Sequence, residues 1–290
     1  MPKLITWNIQ SARTPSGGAE PDLVIETLAR FAGCDILCLQ EVASGFPARD
    51  GSDGGDQFAA LPLYLSERLS GWHAARGLAL DLAPDPRHPA RGRRRLGCLT
   101  LSRYPIVQVL RHSLPWPADP AVPSMPRVVL ETTLATPDGL LRVLNTHLEY
   151  FSEPQRLAQV EGLRALQREA SAHAEAPRPG LDEYGPFAAL PRALDAVLAG
   201  DFNMLPDSAC RQRLLAPFDD GTPAWYDAWE LAEPGPHAPT VGLHDDTPGA
   251  APFTFDYTFV SAGLAARVNR MQVDDARGGS DHQALLLELD

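Results

Sequence analysis

Polar residues of the types that carry out acid–base and phosphate chemistry stand where short apolar segments of the chain end. Glu41 ends ILCLQE, His147 lies in VLNTHLE, and Asp201 follows AVLAG. Side chains at strand ends can project into a common cleft, so these positions are candidates for one shared site. The full set of such residues is Asn8, Glu41, His147, Asp201, Asn203, Asp256, Asp281 and His282. Because a lone residue of this kind is usually a solvated loop residue, the prediction depends on the groups they form.

The segment GDFN places a carboxylate and an amide two residues apart. In extended backbone Asp201 and Asn203 therefore face the same side. The carboxylate accepts hydrogen bonds and the amide also donates them, so the two side chains can reach one target.

Asp256 lies inside the apolar segment FTFDYTFV, between Phe255 and Tyr257. A buried ionised carboxylate needs a partner. His282 is a candidate, because an aspartate fixes the tautomer of an imidazole and favours its protonated form.

Glu41, Asp201 and Asp281 would repel one another if the fold brought them together. At an effective dielectric of about 20, two like charges 4 Å apart cost roughly 4 kcal/mol. Such a cluster makes sense around a cation. Oxygen donors dominate and no Cys–His set has zinc spacing, so Mg²⁺ or Mn²⁺ is the expected ion. Glu41 with Asn8, and Asp281 as a further ligand, is sufficient for this pattern.

Alternating short apolar segments and helical patterns must position these residues, and they favour one α/β domain over residues 1–290. A helix is predicted over Pro21–Phe31, and another after Ser152, where Ser152-Glu153-Pro154-Gln155 resembles a capping box. Irregular segments are expected at Ala43–Asp56, Ala83–Arg95, Ala174–Pro191 and Glu233–Pro252. Strands are predicted at Leu4–Ile9, Asp35–Gln40, Leu96–Ser102, Ile106–Arg111, Arg127–Leu134, Leu141–His147, Val197–Gly200, Phe253–Val260, Ala266–Val273 and Gln283–Leu289.

The chain has 25 Lys+Arg against 37 Asp+Glu, a formal net charge of −12. This balance excludes a basic protein that wraps nucleic acid by charge alone, but not an enzyme that contacts phosphate through a bound cation. The four cysteines lie in or beside apolar segments without a CxxC pair, which favours buried thiols over disulfides. No secretory leader and no 18-residue apolar run is visible, so a cytoplasmic protein without a membrane span is expected.

Two further features leave alternatives open. Five arginines fall within nine residues, at Arg87, Arg91, Arg93, Arg94 and Arg95. They form either a solvated loop or a phosphate contact near the site. Trp116, Trp225 and Trp229 either stack on bases or fill the core, and the core is the expected place.

The ordered set TWN, LQE, NTHLE, GDFN, FDYTFV and SDH resembles the motifs of the endonuclease/exonuclease/phosphatase superfamily, also called the DNase-I-like family. The motifs run from Asn8 to His282 in the family's order. The resemblance implies a four-layer α/β sandwich, with two packed mixed β-sheets flanked by helices. It also implies divalent-metal-dependent cleavage of a phosphate ester at one end of the sheets.

Carried over residue by residue, the resemblance implies that Glu41 is the main metal ligand, helped by Asn8 and Asp281. Asp201 would orient or deprotonate the attacking water. The other roles it implies are phosphate positioning by Asn203 and His147, transition-state stabilisation by His282, support of His282 by Asp256, and a phosphate contact from Arg127.

Three functions are consistent with the sequence. The first is a metal-dependent phosphodiesterase acting on nucleic acid or a nucleotide-like substrate. The second is a phosphomonoesterase or a lipid-headgroup phosphohydrolase of the sphingomyelinase or phosphoinositide type. The third is a catalytically inactive binding module, which the intact set of polar residues argues against. The expected partner is the phosphate-ester substrate, with nucleic acid as one candidate. The oligomeric state stays open, with a monomer as the default.

Overall fold

The computed structural model describes residues 2–12, 21–30, 33–47, 54–68, 71–183, 185–189, 192–245, 247, 249–276 and 278–290. Its centre is a pair of mixed β-sheets with six strands each. Helices cover the outer faces. The architecture is the predicted four-layer α/β sandwich.

The first sheet has the strand order β11-β12-β1-β2-β4-β3. Strands β1 and β2 are parallel, with Asn8 beside Gln40 in the register. The remaining neighbours in this sheet are antiparallel. Its strands are β1 (Lys3–Asn8), β2 (Ile36–Ser44), β3 (His73–Leu82), β4 (Arg94–Ser102), β11 (Val268–Val273) and β12 (Leu285–Leu289).

The second sheet has the order β5-β6-β7-β8-β10-β9. Strands β7 and β8 are parallel, and β10 is antiparallel to β8. Its strands are β5 (Ile106–Ser113), β6 (Val128–Thr136), β7 (Gly139–His147), β8 (Ala196–Asp201), β9 (Trp225–Asp227) and β10 (Asp256–Ser261).

The strand pleat divides the core into layers. In β1, Leu4 points into the cluster between the two sheets, whereas Ile5 and Trp7 point to the outer face. This alternation is the period of two expected of a strand, and burial on both faces explains why these strands are almost continuously apolar. The outer face of the first sheet packs on α1 (Pro21–Arg30) and α2 (Gln57–Arg68), and that of the second on α3 (Glu153–Glu175) and α4 (Ala209–Leu215). A short helix, α5 (Ala228–Ala232), follows β9.

At the start of α3, only half of the predicted capping box is formed. The Ser152 hydroxyl accepts a hydrogen bond from the Gln155 backbone N–H at 3.3 Å, as an N-cap does. The reciprocal half of the capping box is absent, because Gln155 Oε1 accepts no hydrogen bond from a described residue, while the Gln155 amide nitrogen donates to the carbonyl oxygen of Pro117 at 2.7 Å.

Several predicted boundaries were wrong. The Asp35–Gln40 strand continues to Ser44, so Glu41 lies within a strand. The Phe253–Val260 strand begins only at Asp256, and residues 266 and 267 belong to a 3₁₀ helix. The predicted end of the first helix at residue 31 lies outside the described residues. The elements that the sequence patterns did not predict are α2, β3, α4, β9 and α5.

All four cysteines lie in described segments and are buried free thiols, as predicted. Burial raises the pKa of Cys34 and Cys98 to about 12, which leaves these thiols protonated. Within the described ranges, no helix is both long enough and apolar enough to cross a bilayer.

Candidate active site

The predicted site residues meet where the parallel strands of both sheets end. In the register of the second sheet, Asp201 lies beside His147 on one side and Asp256 on the other. Asn8 ends β1 of the facing sheet. Gly200 permits this arrangement, because its φ is +151° and a Cβ there would overlap the carbonyl oxygen of Thr146 on β7.

Asp201 lies at the centre of the site and is buried. Its Oδ2 accepts a hydrogen bond from the Asn8 amide at 2.9 Å, and its Oδ1 accepts one from the Asn203 backbone N–H at 3.0 Å. The same Oδ2 lies 3.4 Å from His147 Nε2 and 3.8 Å from His282 Nε2. Burial, and to a lesser extent the charge of Asp256, raises the pKa of Asp201 to about 7. A carboxylate with such a pKa can exchange a proton near neutral pH.

His282 and Asp256 form the pair that the sequence predicted. His282 Nδ1 lies 2.8 Å from Asp256 Oδ2, and the Thr240 hydroxyl donates to that oxygen at 2.7 Å. Burial alone would lower the pKa of His282, but Asp256 and Asp201 outweigh it and raise the pKa to about 10. The ring is therefore an imidazolium at neutral pH, with Nε2 directed towards Asp201 as a charged donor.

Asn203 and His147 lie together on the other side of Asp201. The Asn203 amide is 3.0 Å from His147 Nε2 and donates to the carbonyl oxygen of Leu148 at 2.9 Å. Burial, together with the positive charges of Arg127 and His282, lowers the pKa of His147 well below its usual value. Asn203 has a φ of +50°, a conformation that the surrounding hydrogen bonds must maintain.

Glu41 occupies an irregular point in β2. The pairing with β4 shifts register between Leu39 and Val42, and Glu41 has a φ of +53°. A bulge of this kind redirects a side chain. Glu41 Oε1 accepts a hydrogen bond from the Asn8 amide at 3.2 Å, so one amide joins Glu41 to Asp201.

Asp281 reaches the same region from the loop before β12. Its Oδ2 accepts a hydrogen bond from the Gln10 side-chain amide at 2.8 Å, and its Oδ1 lies 4.0 Å from His282 Nε2. Its side chain is 47% exposed. The structure thus brings Asp281 next to His282, whereas Asn8 and Glu41 contact each other directly.

The donor set of this region fits a hard divalent cation. Glu41, Asn8 and Asp281 supply the carboxylate and amide oxygens that Mg²⁺ and Mn²⁺ prefer. Glu41 forms no salt bridge with a described residue, and its hydrogen-bond donor is the neutral amide of Asn8. Candidate ligand atoms of Asp201, Asp256 and His282 also lie within 4.8 Å of one another, so these three residues are a second group that could hold a metal ion.

Arg127 lies at the edge of the site, directly before β6. Its Nε and Nη2 donate to Glu149 Oε2, both at 3.3 Å, and its buried Nη1 has no hydrogen-bond partner among the described residues. Arg127 lines a small pocket together with Glu41 and His147. It therefore lies close to Glu41 and His147, and its contact with phosphate stays a prediction.

Sequence reasoning missed three supporting residues: Gln10, Glu149 and Thr240. Glu149 had a signal, because it belongs to NTHLE and follows His147 by two residues. Thr240 had none, since it lies in a loop 16 residues before Asp256 and only the tertiary fold brings the two together.

The arginine-rich segment pairs largely with neighbouring acids. Arg87 binds Asp85 at 2.8 Å, and Arg93 and Arg95 lie 2.7 and 3.5 Å from Asp81. The Arg87 side chain also lowers the pKa of Asp85. This pairing favours the solvated-loop interpretation over a phosphate contact.

A four-layer sandwich that gathers these carboxylates, amides and an imidazolium at one end of its sheets defines a class of phosphoesterase folds. The chain belongs to the Endonuclease/Exonuclease/phosphatase family, whose sequence profile matches residues 5–282. This family typically consists of phosphoesterases and is generally dependent on a divalent metal.

Solved structures share the fold. An endonuclease/exonuclease/phosphatase from Beutenbergia cavernae is 23% identical, with a TM-score of 0.66 over 98% of this chain and 70% of its own. The mannosyl-6-phosphatase Bt3783 of Bacteroides thetaiotaomicron is 17% identical, with a TM-score of 0.62 over the whole of both chains. The catalytic domain of human Nocturnin is 18% identical, with a TM-score of 0.58 over 99% of this chain and 93% of its own. No curated protein matched the sequence.

Proposed function

We propose that this protein is a divalent-metal-dependent phosphodiesterase acting on nucleic acid or a nucleotide-like substrate, with Mg²⁺ or Mn²⁺ as its ion. The observation that carries the proposal is the environment of Asp201. One buried carboxylate meets an amide at 2.9 Å and two imidazoles at 3.4 and 3.8 Å, and the same amide joins it to Glu41. Burying such groups together is costly in a purely structural site, but phosphoryl transfer needs them.

Glu41 and Asn8 would hold the cation, with Asp281 as a further ligand. When bound, the cation neutralises charge on the phosphate and on the leaving oxygen. The bound cation therefore provides a positive charge at the site, although the net charge of the protein is −12.

Asp201 acts as the general base. Its raised pKa suits a group that orients a water molecule and takes its proton as the water oxygen bonds to phosphorus. The bond between phosphorus and the leaving oxygen breaks on the opposite side, in line with the attack.

The remaining residues stabilise the charge that develops on the phosphoryl oxygens. His282 presents a cationic N–H, and Asp256 holds it in orientation through the 2.8 Å contact. Asn203 and His147 position the phosphate beside Asp201. Donors fixed before the reaction are effective because they need little reorganisation in the transition state.

A phosphomonoesterase is the second candidate, and Arg127 is the observation that favours it. Its guanidinium adds a positive charge to the pocket that Glu41 and His147 also line, and its buried Nη1 has no hydrogen-bond partner among the described residues. Such a donor suits the additional negative charge of a monoester.

Hydrolysis of bis(4-nitrophenyl) phosphate, a single-stranded oligonucleotide and 4-nitrophenyl phosphate tests both candidates. The metal-free protein should be inactive until Mg²⁺ or Mn²⁺ is added, and the diesters should be the better substrates. A Glu41→Gln variant should lose activity and also bind the metal more weakly in calorimetry, whereas Glu26→Gln on the exposed face of α1 should behave like the wild type. Metal-independent hydrolysis, or no hydrolysis of any of these esters, would refute the proposal. Preference for the monoester would select the second candidate.

A further inference from the structure

Four aromatic side chains form a connected group on the surface, here called the aromatic rim: Tyr150, Phe151, Phe253 and Phe255. The ring centroids of Tyr150 and Phe151 are 4.8 Å apart, those of Tyr150 and Phe255 are 6.2 Å apart, and those of Phe253 and Phe255 are 4.7 Å apart. Tyr150 is 53% exposed, Phe151 56% and Phe253 37%. A contiguous apolar surface of this kind marks an interaction site rather than ordinary surface.

The rim borders the candidate active site on both of its segments. Tyr150 and Phe151 follow His147 by three and four residues, and Phe255 directly precedes Asp256. The backbone N–H of Phe202, between Asp201 and Asn203, donates to the carbonyl oxygen of Phe255 at 2.8 Å. The two segments of the rim are therefore joined through the backbone to the residues that would hold the phosphate, Asn203 and His147.

The backbone of the rim is fixed in advance. Glu149 Oε1 accepts a hydrogen bond from the Phe151 N–H at 3.0 Å, and an Arg156 guanidinium N–H donates to the Tyr150 carbonyl oxygen at 3.0 Å. The Phe253 N–H donates to the carbonyl oxygen of Val241 at 3.1 Å. Rings on an ordered backbone lose little conformational entropy when a ligand stacks on them.

We infer that the aromatic rim binds an unpaired nucleobase of the nucleotide next to the scissile phosphate. This inference rests on the proposed phosphodiesterase function and adds a substrate contact to it. A planar base joined to a phosphate matches a π surface beside a phosphate site, and stacking on aromatic side chains is the main mode of single-strand recognition.

Electrostatics favours a single-stranded or nucleotide substrate over a duplex. Base faces in a duplex are already stacked on each other, so they are not free for the rim. Binding a duplex by its backbone needs several phosphate contacts. The net charge of −12 and the pairing of Arg87, Arg93 and Arg95 with Asp85 and Asp81 disfavour such contacts.

The test uses matched oligonucleotides. One is a short single strand with a single cleavable phosphodiester, and its partner carries an abasic tetrahydrofuran at the adjacent nucleotide. Wild-type kcat/KM should favour the strand with the base by roughly five- to hundredfold, the range for one base stacked on an aromatic ring. Tyr150→Ala and Phe151→Ala should remove most of this preference and leave cleavage of the abasic strand unchanged.

Two variants serve as controls. Tyr150→Phe keeps the ring and should keep the preference. Phe187→Ala removes an exposed ring in the segment that leads to β8, outside the rim, and should behave like the wild type. Anisotropy of a labelled strand in EDTA measures base-dependent binding without turnover, and it should weaken in the same two rim variants.

Three results would overturn the inference. The first is an equal wild-type kcat/KM for both strands, and the second is an equal decrease of kcat/KM for both strands in the rim variants. The third is a higher kcat/KM for duplex, for sugar phosphate or for vesicles of phosphatidylcholine and sphingomyelin. In the first two cases, and with a preference for duplex, cleavage of a nucleic-acid phosphodiester persists, so the proposed function stands. A preference for sugar phosphate would select the phosphomonoesterase, and a preference for vesicles would replace nucleic acid with a lipid substrate. Absence of hydrolysis for every ester would instead refute that function, and base-dependent anisotropy would then still support the rim as a binding surface.

Discussion

Two clusters of acidic and histidine side chains, each built on a buried aspartate, lie beside β10, and only one of them has the features of an active site. The first contains Asp201, Asp256 and His282, and the second Asp227, Glu230 and His237. In each cluster the candidate ligand atoms lie within 4.8 Å of one another. We call them the catalytic cluster and the structural cluster.

The difference is an arginine. In the structural cluster, Arg211 donates to Asp227 at 2.7 and 3.1 Å and to Glu230 at 2.5 Å. His237 contacts the same Asp227 oxygen at 2.9 Å. Burial pushes the pKa of Asp227 upward, but His237 and Arg211 outweigh it, so its pKa is lowered.

The catalytic cluster has no such compensation for Asp201, whose pKa is raised to about 7 by burial. Its nearest cation, His282, is shared with Asp256. A buried acid group that is fully paired is tolerated within the fold, whereas one left short of positive charge is available for a metal, a substrate and a proton. Residue types and proximity alone do not distinguish the two cases.

The largest expected contrast is in activity. Asp201→Asn should lower kcat/KM by roughly 10²–10⁴-fold, the usual contribution of a general base. Asp227→Asn, measured where both variants are folded, should leave kcat/KM unchanged because Asp227 is committed to Arg211 and His237. Steady-state hydrolysis of bis(4-nitrophenyl) phosphate measures both. Similar losses in the two variants would show that the clusters do not differ in role.

The next contrast is in stability. Arg211→Met should destabilise the protein by about 3–5 kcal/mol, because it removes the guanidinium that donates two hydrogen bonds to buried Asp227. The control is Arg213→Met on the same helix, whose surface pair with Glu161 is worth about 0–1 kcal/mol. Urea unfolding gives both values. If the two variants lost the same amount, the structural cluster would not depend on its arginine.

The two clusters should also differ in the sign of their pH dependence. Because the folded pKa of Asp201 is raised from 3.8 to about 7, its contribution to stability is present at acid pH and is lost as the pH rises through that interval. The lowered pKa of Asp227 has the opposite effect, since that contribution is present above the unfolded pKa and is lost as the pH falls.

Thermal unfolding of the metal-free protein from pH 3.5 to 8 tests this reversal. The Tm of Asp201→Asn relative to that of the wild type should increase as the pH rises. The Tm of Asp227→Asn relative to that of the wild type should decrease over the same pH range. If the plots of Tm against pH for both variants ran parallel to that of the wild type, the two clusters would not differ in their electrostatics.

The smallest expected effect concerns Thr240, which orients Asp256 through a 2.7 Å hydrogen bond. Thr240→Val should lower kcat roughly two- to tenfold, as expected for one net hydrogen bond, with little change in KM. Thr240→Ser keeps the hydroxyl and should restore kcat. Failure of the serine variant to restore kcat would assign the loss to packing instead.

The chemistry-bearing residues could be predicted because their signals are local. Asp201 and Asn203 lie two residues apart at the end of an apolar strand, and the family motifs around Glu41, His147 and His282 are short. The layer architecture was also predictable, since alternating apolar strands and helices leave few ways to bury both faces of a sheet.

Other features depend on contacts between distant segments. The strained φ of Glu41 follows from the bulge opposite β4, and Thr240 reaches Asp256 only in the fold. Strand β3 has alternate exposed positions such as Arg76, and short α4 and α5 lack a long periodic pattern, so local signals for these elements are weak.

The sequence thus established which side chains could carry phosphate chemistry, the apolar segments that carry them, and the family to which the pattern is similar. The tertiary structure decided which acids are compensated and which rings are exposed together. Asp227 and Asp201 both follow apolar segments as single aspartates, yet Arg211 reaches only the former. The physical reason is that the charge compensation of an acid and the exposure of a ring depend on all the residues that surround it in three dimensions. Those residues come from segments far apart along the chain.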